Sequence, residues 1–273
     1  MREPKETRKV AEEAVRLAGS FLRLMSIDNL ELFRKKGHLV SSFDIEAERL
    51  IKNRIAMTYP EDRVVTDFTD TGSPDSEGAL TWYVDPLDGT KAFIRGQLAF
   101  VSLSAAVVDA QGLVAAAIYN PFTDVLYSAS RTEQAFLNDR GLTRPDDVDL
   151  TKARMLVDFS RDIPEATQVR LATADLSGEV GRIFRFDGSI AQHLALIAQG
   201  TLDGAVLWGS GTKGHYYDLA GAILLLEKLH FKVTDLGGNP IGPESRSFDQ
   251  LVVGQPSLHQ QTLNFVRRIA PNW

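Results

Sequence analysis

The sequence predicts a mixed fold, α+β in its first half and α/β in its second. Three observations carry that expectation. Helical periodicity opens the chain, an antiparallel meander of three apolar runs fills its middle, and strand-like and helix-like runs alternate after residue 150. A length of 273 residues allows one or two domains at about 150 residues each. Hydrophobic residues at 44 % and charged residues at 24 % describe an ordinary globular chain, and exclude disorder, collagen and coiled coil.

Val10, Ala14, Leu17, Ala18, Phe21 and Met25 recur at helical spacing and predict an amphipathic helix over 6–25. The basic run Phe33-Arg34-Lys35-Lys36-Gly37-His38 reads as a loop. A second helix is expected over 44–57, with Ala47, Leu50, Ile51 and Ile55 inward. Asp44 suits the dipole at its start, and Tyr59-Pro60 ends it. Residues 63–66 read as a short strand and 69–79 as a loop. Leu80 to Val84 is apolar and β-rich, the turn-like run Asp85 to Thr90 interrupts it, and a helical turn covers 91–95. Strands at 100–108, 113–119 and 125–129, joined by turns, make the meander. The polar stretch 138–152, with Gly141, Pro145 and several Asp, marks a boundary between subdomains 1–145 and 146–273. Beyond it, strand 154–159 precedes helix 164–174, strand 182–186 precedes helix 189–199 with Gly200 closing it, and strand 204–208 precedes helix 216–229. A strand at 231–235, a turn at 237–240, a strand at 250–253 and a helix at 257–268 follow.

Acidic residues outnumber basic ones 36 to 30, a net charge of −6, which argues against a nucleic acid partner held by a basic surface. The N-terminal run lacks the apolar core of a signal peptide, and the most apolar later stretches are far shorter than the roughly 20 residues of a membrane span. A soluble, cytoplasmic protein with no membrane partner is the expectation. Cysteine is absent, so disulfides, thiolate nucleophiles and Cys-ligated metals are excluded. With five histidines, any metal is expected mainly on oxygen.

Chemistry concentrates in Trp82-Tyr83-Val84-Asp85-Pro86-Leu87-Asp88-Gly89-Thr90. An apolar strand delivers two carboxylates three residues apart, Pro86 stiffens the link, and Gly89 and Thr90 open a helix. Carboxylates held this close raise one another's pKa unless a cation neutralises them, and N–H groups at a helix start can face a phosphate. Together these features suit divalent cations and a phosphate. The same hexapeptide is also ordinary turn chemistry. A second acid, Asp218, at the start of the otherwise apolar helix 216–229, tips the balance toward a site, with Ala220, Gly221 and Ala222 allowing close backbone approach.

The run DPLDGT, followed at long range by Asp218-Leu219-Ala220-Gly221-Ala222, resembles the inositol monophosphatase-like superfamily of magnesium-dependent, lithium-sensitive phosphatases. Val40 to Asp44, Tyr59-Pro60, Gly188-Ser189 and Asp235 to Pro240 fit in order and spacing. The resemblance implies a layered αβαβα sandwich of the inositol monophosphatase/fructose-1,6-bisphosphatase type, with the active site between the subdomains. It implies two or three Mg2+ ions, with Mn2+ able to substitute. Asp85 would bridge two of them, the Leu87 carbonyl would join one, and Asp88 and Asp218 the other. The Gly89 and Thr90 amides would hold the phosphate, and the Thr90 hydroxyl would position the attacking water. The Gly188-Ser189 turn would lie toward the substrate; apart from the resemblance, Lys213 and His215, upstream of Asp218, read either as contacts to a substrate anion or as part of a flexible loop after Gly209-Ser210-Gly211. The implied reaction is in-line attack of a metal-activated water on a small phosphorylated metabolite, without a covalent intermediate, by a homodimer.

Departures from the family pattern bear on that reading. The family's Gly-Glu-Glu, a few residues after Tyr-Pro, is Thr66-Asp67-Phe68 here. Asp67 takes the place of the first Glu, a ligand that also orients the water through Thr90, with Asp70 as the backup. It is one methylene shorter, so the backbone moves in, a water bridges, or the site is weaker. Phe68 replaces the second Glu and puts a third metal in doubt. The family's Trp-Asp is Tyr217-Asp218, which keeps a ring and adds a hydroxyl. A Glu that binds inositol hydroxyls in some members falls near Gly211, seven residues before Asp218, which puts inositol phosphate itself in doubt within an inositol phosphate-like class. A 3′(2′),5′-bisphosphate nucleotidase or a histidinol-phosphate phosphatase is the alternative, resembled by Asp88-Gly89-Thr90-Lys91 with Phe93 and Arg95-Gly96. A catalytically inactive, regulatory member is the alternative of another class. Arg34, Lys35, Lys36 and His38 form a basic patch, either solvated or folded over the site. Ser189 also reads as a helix N-cap, His193 as a packing residue, and Trp82 and Trp208 as core.

Overall fold

The computed structural model describes residues 2–25, 31–35, 38–71, 78–209, 214–245 and 247–270. It divides into two compact units. The first comprises Met1–Leu142, Asp187–Ala195 and Tyr217–Lys228, and the second Thr143–Phe186, Leu196–Tyr216 and Leu229–Trp273. No helix among the described residues is long and apolar enough to cross a membrane.

In the first unit, α1 (Pro4–Leu24) starts on a proline, whose missing N–H costs nothing there, and buries Val10, Ala14, Ala18 and Leu22. The basic run expected as a loop instead forms an antiparallel pair, β1 (Leu32–Lys35) with β2 (His38–Ser41), Phe33 opposite Val40. Lys36 and Gly37 lie outside the described residues. Ser41 caps α2 (Ser42–Thr58) in a reciprocal capping box with Asp44, which fixes the helix start two residues before the expected position. An eight-stranded sheet follows, built from β3 (Arg63–Val65), β4 (Asp70–Thr71), β5 (Thr81–Asp88), β6 (Ser102–Asp109), β7 (Gly112–Asn120), β8 (Val125–Ser130), β9 (Ala135–Leu137) and β10 (Arg140–Gly141). Its order is β10-β9-β8-β7-β6-β5-β3-β4, antiparallel except where β3 runs parallel to β5. The expected meander is β6-β7-β8, and two short strands extend it, β9 beside β8 and β10, within the polar stretch, at the edge.

β5 does not stop at Val84. It runs through the acidic motif, and Asp85 pairs with Ser104 while Asp88 pairs with Ser102. Pro86 and Leu87 on β5 thus stand opposite the single residue Leu103 on β6, a bulge that accommodates Pro86 and turns the end of the strand. Trp82 is fully buried, and its indole N–H donates to Asp62 at 2.7 Å. α3 (Thr90–Ile94), most of α5 (Ile190–Ala198) and most of α6 (Tyr216–Lys228) belong to this unit.

The second unit carries a five-stranded sheet in the order β12 (Arg182–Phe184), β11 (Arg154–Phe159), β13 (Gly204–Trp208), β17 (Gln250–Gly254) and β15 (Lys232–Thr234). β11 pairs parallel with β12 and β13, whereas β17 is antiparallel to β13 and β15. A separate two-residue pair joins β14 (Gly214–His215) to β16 (Ser247–Phe248). Met155, Val157, Trp208, Leu171 of α4 (Glu165–Thr173) and Phe265 of α7 (Pro256–Ile269) share its core.

Candidate active site

β5 and the turn after it place Asp85, Leu87, Asp88, Gly89 and Thr90 within one short stretch. The Leu87 N–H donates to Asp85 Oδ1 at 3.0 Å, a local bond that orients the carboxylate. Gly89 adopts φ +87°, and a Cβ there would stand 2.8 Å from the Phe100 carbonyl and 2.9 Å from the Ser189 nitrogen. Only glycine takes that backbone without strain and allows the close approach.

Asp88 is gripped from the Gly188-Ser189 turn. The Ser189 hydroxyl donates to Asp88 Oδ2 at 2.6 Å, and the Ala191 N–H donates to the same oxygen at 3.0 Å. Ser189 is fully buried, lies 2.7 Å from the Ser102 hydroxyl, and accepts from the Gln192 N–H at 3.0 Å. It therefore caps α5 as expected, and its side chain faces a carboxylate rather than open solvent.

Thr90 points at Asp44. Its hydroxyl lies 3.0 Å from Asp44 Oδ1 and 3.1 Å from the Leu87 carbonyl. Asp44 also accepts from the Ser41 N–H at 2.8 Å and from the Ser41 hydroxyl. Sequence reasoning took Asp44 for a helix-start residue alone. The capping-box spacing Ser41-x-x-Asp44 shows why it is fixed, but not that a threonine 46 residues away would find it.

Asp67 sits in a turn held by Thr66, whose hydroxyl accepts from the N–H groups of Phe68 at 3.0 Å and Thr69 at 2.9 Å. The Thr69 hydroxyl donates to Glu48, which ties the turn to α2. The Tyr217 hydroxyl reaches Asp67 Oδ1 at 3.0 Å. Asp218 follows Tyr217 in the first turn of α6. Asp70 is engaged differently: it is on β4, where Arg63 donates to it through Nε at 2.6 Å. Gly211 and Lys213 lie outside the described residues. His193 is buried with its ring 6.0 Å from Phe100, and Trp208 is fully buried.

Electrostatics tie these acids together. Burial pushes the Asp85 carboxyl well above the usual range, and the like charges of Asp88, Asp218 and Asp44 push the same way against the Leu87 N–H. Asp88 is raised to about 6 by burial, opposed by Ser189 and by the N–H groups of Ala191, Ile190 and Gly89. Burial also raises Asp44 against the hydrogen bonds of Ser41 and Thr90. The Tyr217 phenol is raised by burial and then by the charges of Asp218, Asp67 and Asp85. Asp85 and Asp88 keep part of their surface open, so solvent reaches a group of acids that repel one another.

Among the described residues, no three His, Asp or Glu side chains already close on a common point as a ligand group. The donor chemistry nevertheless fits a hard divalent cation. Asp85 feels three other carboxylates, every side-chain donor is oxygen, and a cation would relieve the repulsion that raises Asp85.

The model of the inositol monophosphatase family matches residues 3–269. A probable inositol 1-monophosphatase, ImpA, of Mycobacterium tuberculosis is 30% identical over 242 residues, 86% of this chain and 85% of the relative. The Nus factor SuhB of Xylella fastidiosa is 28% identical over 251 residues, 89% of this chain and 87% of the relative. The solved structure of the extragenic suppressor protein suhB of Bartonella henselae superposes with a TM-score of 0.82 at 25% identity, covering 96% of this chain and 99% of that one. The fold class expected from the sequence is thereby borne out.

Proposed function

The chain belongs to the inositol monophosphatase family, a family of phosphoric monoester hydrolases, and on that premise we propose that it hydrolyses a small phosphate monoester at the Asp85–Thr90 site. Magnesium dependence and dimer formation are general features of the family. The observation that carries the reading is the gathering of Asp85, Asp88, Asp218 and Asp44 into one electrostatic group with Thr90 bonded to its edge.

Asp67, Asp85, Asp88, Asp218 and the Leu87 carbonyl would hold Mg2+, which supplies Lewis-acid polarisation of the phosphate and a water of lowered pKa. The remaining work falls to the chain. The Thr90 hydrogen is directed to Asp44 or to the Leu87 carbonyl, so the oxygen keeps lone pairs that accept from a water and set its direction. The Ser189 hydroxyl and the Ala191 N–H fix the Asp88 oxygen against rotation. At the turn into α3 the Gly89 and Thr90 amides would donate to a phosphate oxygen, Gly89 sharing an N–H that also acts on Asp88. The substrate is a small phosphorylated metabolite. A nucleoside 3′(2′),5′-bisphosphate or histidinol phosphate is the alternative to an inositol phosphate-like metabolite.

A second reading, a member that binds without turnover, draws support from Asp67 and Phe68 standing where the resemblance calls for two glutamates, and from the likeness to a Nus factor. Phosphate release from a panel of sugar, inositol, nucleotide and amino-alcohol phosphates separates the two. Turnover that requires Mg2+ and falls at least about a hundredfold in Asp85→Asn supports hydrolysis. Magnesium binding without turnover on the whole panel supports the second reading.

A further inference from the structure

We propose that Tyr217 is a positioning residue for Asp67: its hydroxyl holds a short carboxylate where the metal site needs an oxygen. The inference rests on the metal-site reading above.

Three features carry it. The backbone of the Asp67 turn is set by the Thr66 hydroxyl, which accepts from Phe68 and Thr69, and by the bond from Thr69 to Glu48. Those bonds fix the Cα of residue 67 but leave the direction of its carboxylate open. The Tyr217 hydroxyl supplies that direction, donating to Asp67 Oδ1 at 3.0 Å. A carboxylate offers about four lone-pair directions, so one bond from tyrosine leaves others for a cation.

The surroundings of Tyr217 are those of the site. The charges acting on its phenol are Asp218, Asp67 and Asp85, and Asp218 is its neighbour in the chain. A phenol is protonated at neutral pH, so its hydroxyl has a hydrogen to give Asp67. Both halves of the pair depart from the family pattern given above. Position 67 has lost a methylene where a glutamate is expected, and position 217 has gained a hydroxyl where a tryptophan is expected. A phenol carries its hydroxyl at the far end of the ring axis, and here that end meets Asp67 Oδ1.

The test is Mg2+ binding measured by calorimetry on the full chain without substrate, with thermal unfolding as the check on folding. Tyr217→Phe keeps the ring and removes the hydroxyl. Its expected cost is about tenfold in Mg2+ affinity, the usual scale for losing a group that orients a ligand. In an Asp67→Ala background the same substitution should change affinity less than about twofold, because the group it orients is gone. Tyr217→Phe/Asp67→Glu should return to within about threefold of the wild type, since the longer arm reaches without help. If Tyr217→Phe does not fold, Tyr217→Trp against Tyr217→Trp/Asp67→Glu reads the same rescue. Wild-type affinity in a folded Tyr217→Phe chain would overturn the inference and leave the metal site standing. So would an equal loss with and without the Asp67 carboxylate. A wild-type chain that binds no Mg2+ and releases no phosphate with it overturns the metal-site reading and the inference together.

Discussion

Ser189 does two jobs with one oxygen. It accepts from the Gln192 N–H to cap α5, and it donates its own hydrogen to Asp88, at 2.6 Å. That bond holds the Asp88 pKa down against burial, which alone would raise it above about 6. Ser189→Ala should therefore move the Asp88 titration upward, which carboxyl-carbon NMR on the metal-free chain would read. It should also weaken Mg2+ affinity by about tenfold, as losses of ligand-orienting groups do. An unmoved Asp88 titration would show that the hydroxyl does not bear on the carboxylate. At this scale the sequence was half legible. The Gly188-Ser189 step reads as a helix cap from composition alone, and Asp85 and Asp88 stand out by spacing. The partner of Ser189 lies 101 residues away, and that of Thr90 lies 46 residues back. No local pattern encodes such pairings, because the sheet and helices that create them are assembled only in three dimensions.

The start of α2 is an element whose stability and chemistry share residues. Ser41 and Asp44 satisfy each other across the first turn, and the same Asp44 carboxylate receives the Thr90 hydroxyl. Ser41→Ala removes one side of the box and should cost about 1 kcal/mol of folding stability, measured by urea unfolding. Asp44 is buried, so a cost near zero would mean that water replaces the serine there. Among elements, the long helices and the β6-β7-β8 meander were legible because each buries one face and so writes its period into the sequence. The β1–β2 pair was not. Leu32 and Phe33 are exposed, at 49% and 44%, so these two residues give β1 no buried alternation to read, and the basic residues beside them read as loop. The end of β5 is hidden in the sequence for a different reason. Asp, Pro and Gly are turn formers, but a bulge lets the strand carry them to Asp88.

For the whole molecule, each unit holds a buried histidine that burial keeps neutral. His193 in the first and His259 in the second are both lowered from 6.5 to about 4. His259 lies 2.8 Å from the Thr234 hydroxyl. The folded state binds fewer protons than the unfolded chain between these values. Stability from each is therefore complete above pH 6.5 and is lost as pH falls toward about 4. The buried carboxylates, raised in the fold, act in the opposite direction, so the histidine effect shows best as a difference. The stability of the wild type relative to His193→Gln should fall by about 2 kcal/mol between pH 7 and pH 5. A flat difference would mean that His193 is protonated in the fold or reached by water.

The net charge of −6 also takes on a local meaning at this scale, since four of the acids behind it crowd one site and repel. Whether that crowd is a metal site is tested most directly by crystals soaked in Mn2+ and phosphate. Anomalous density within coordination distance of the Asp85, Asp88 and Asp218 carboxylates, with Asp67 turned toward it and phosphate beside the Gly89 and Thr90 amides, is the result expected. Manganese bound elsewhere on the chain, or no ion at these carboxylates at saturating concentration, would contradict it.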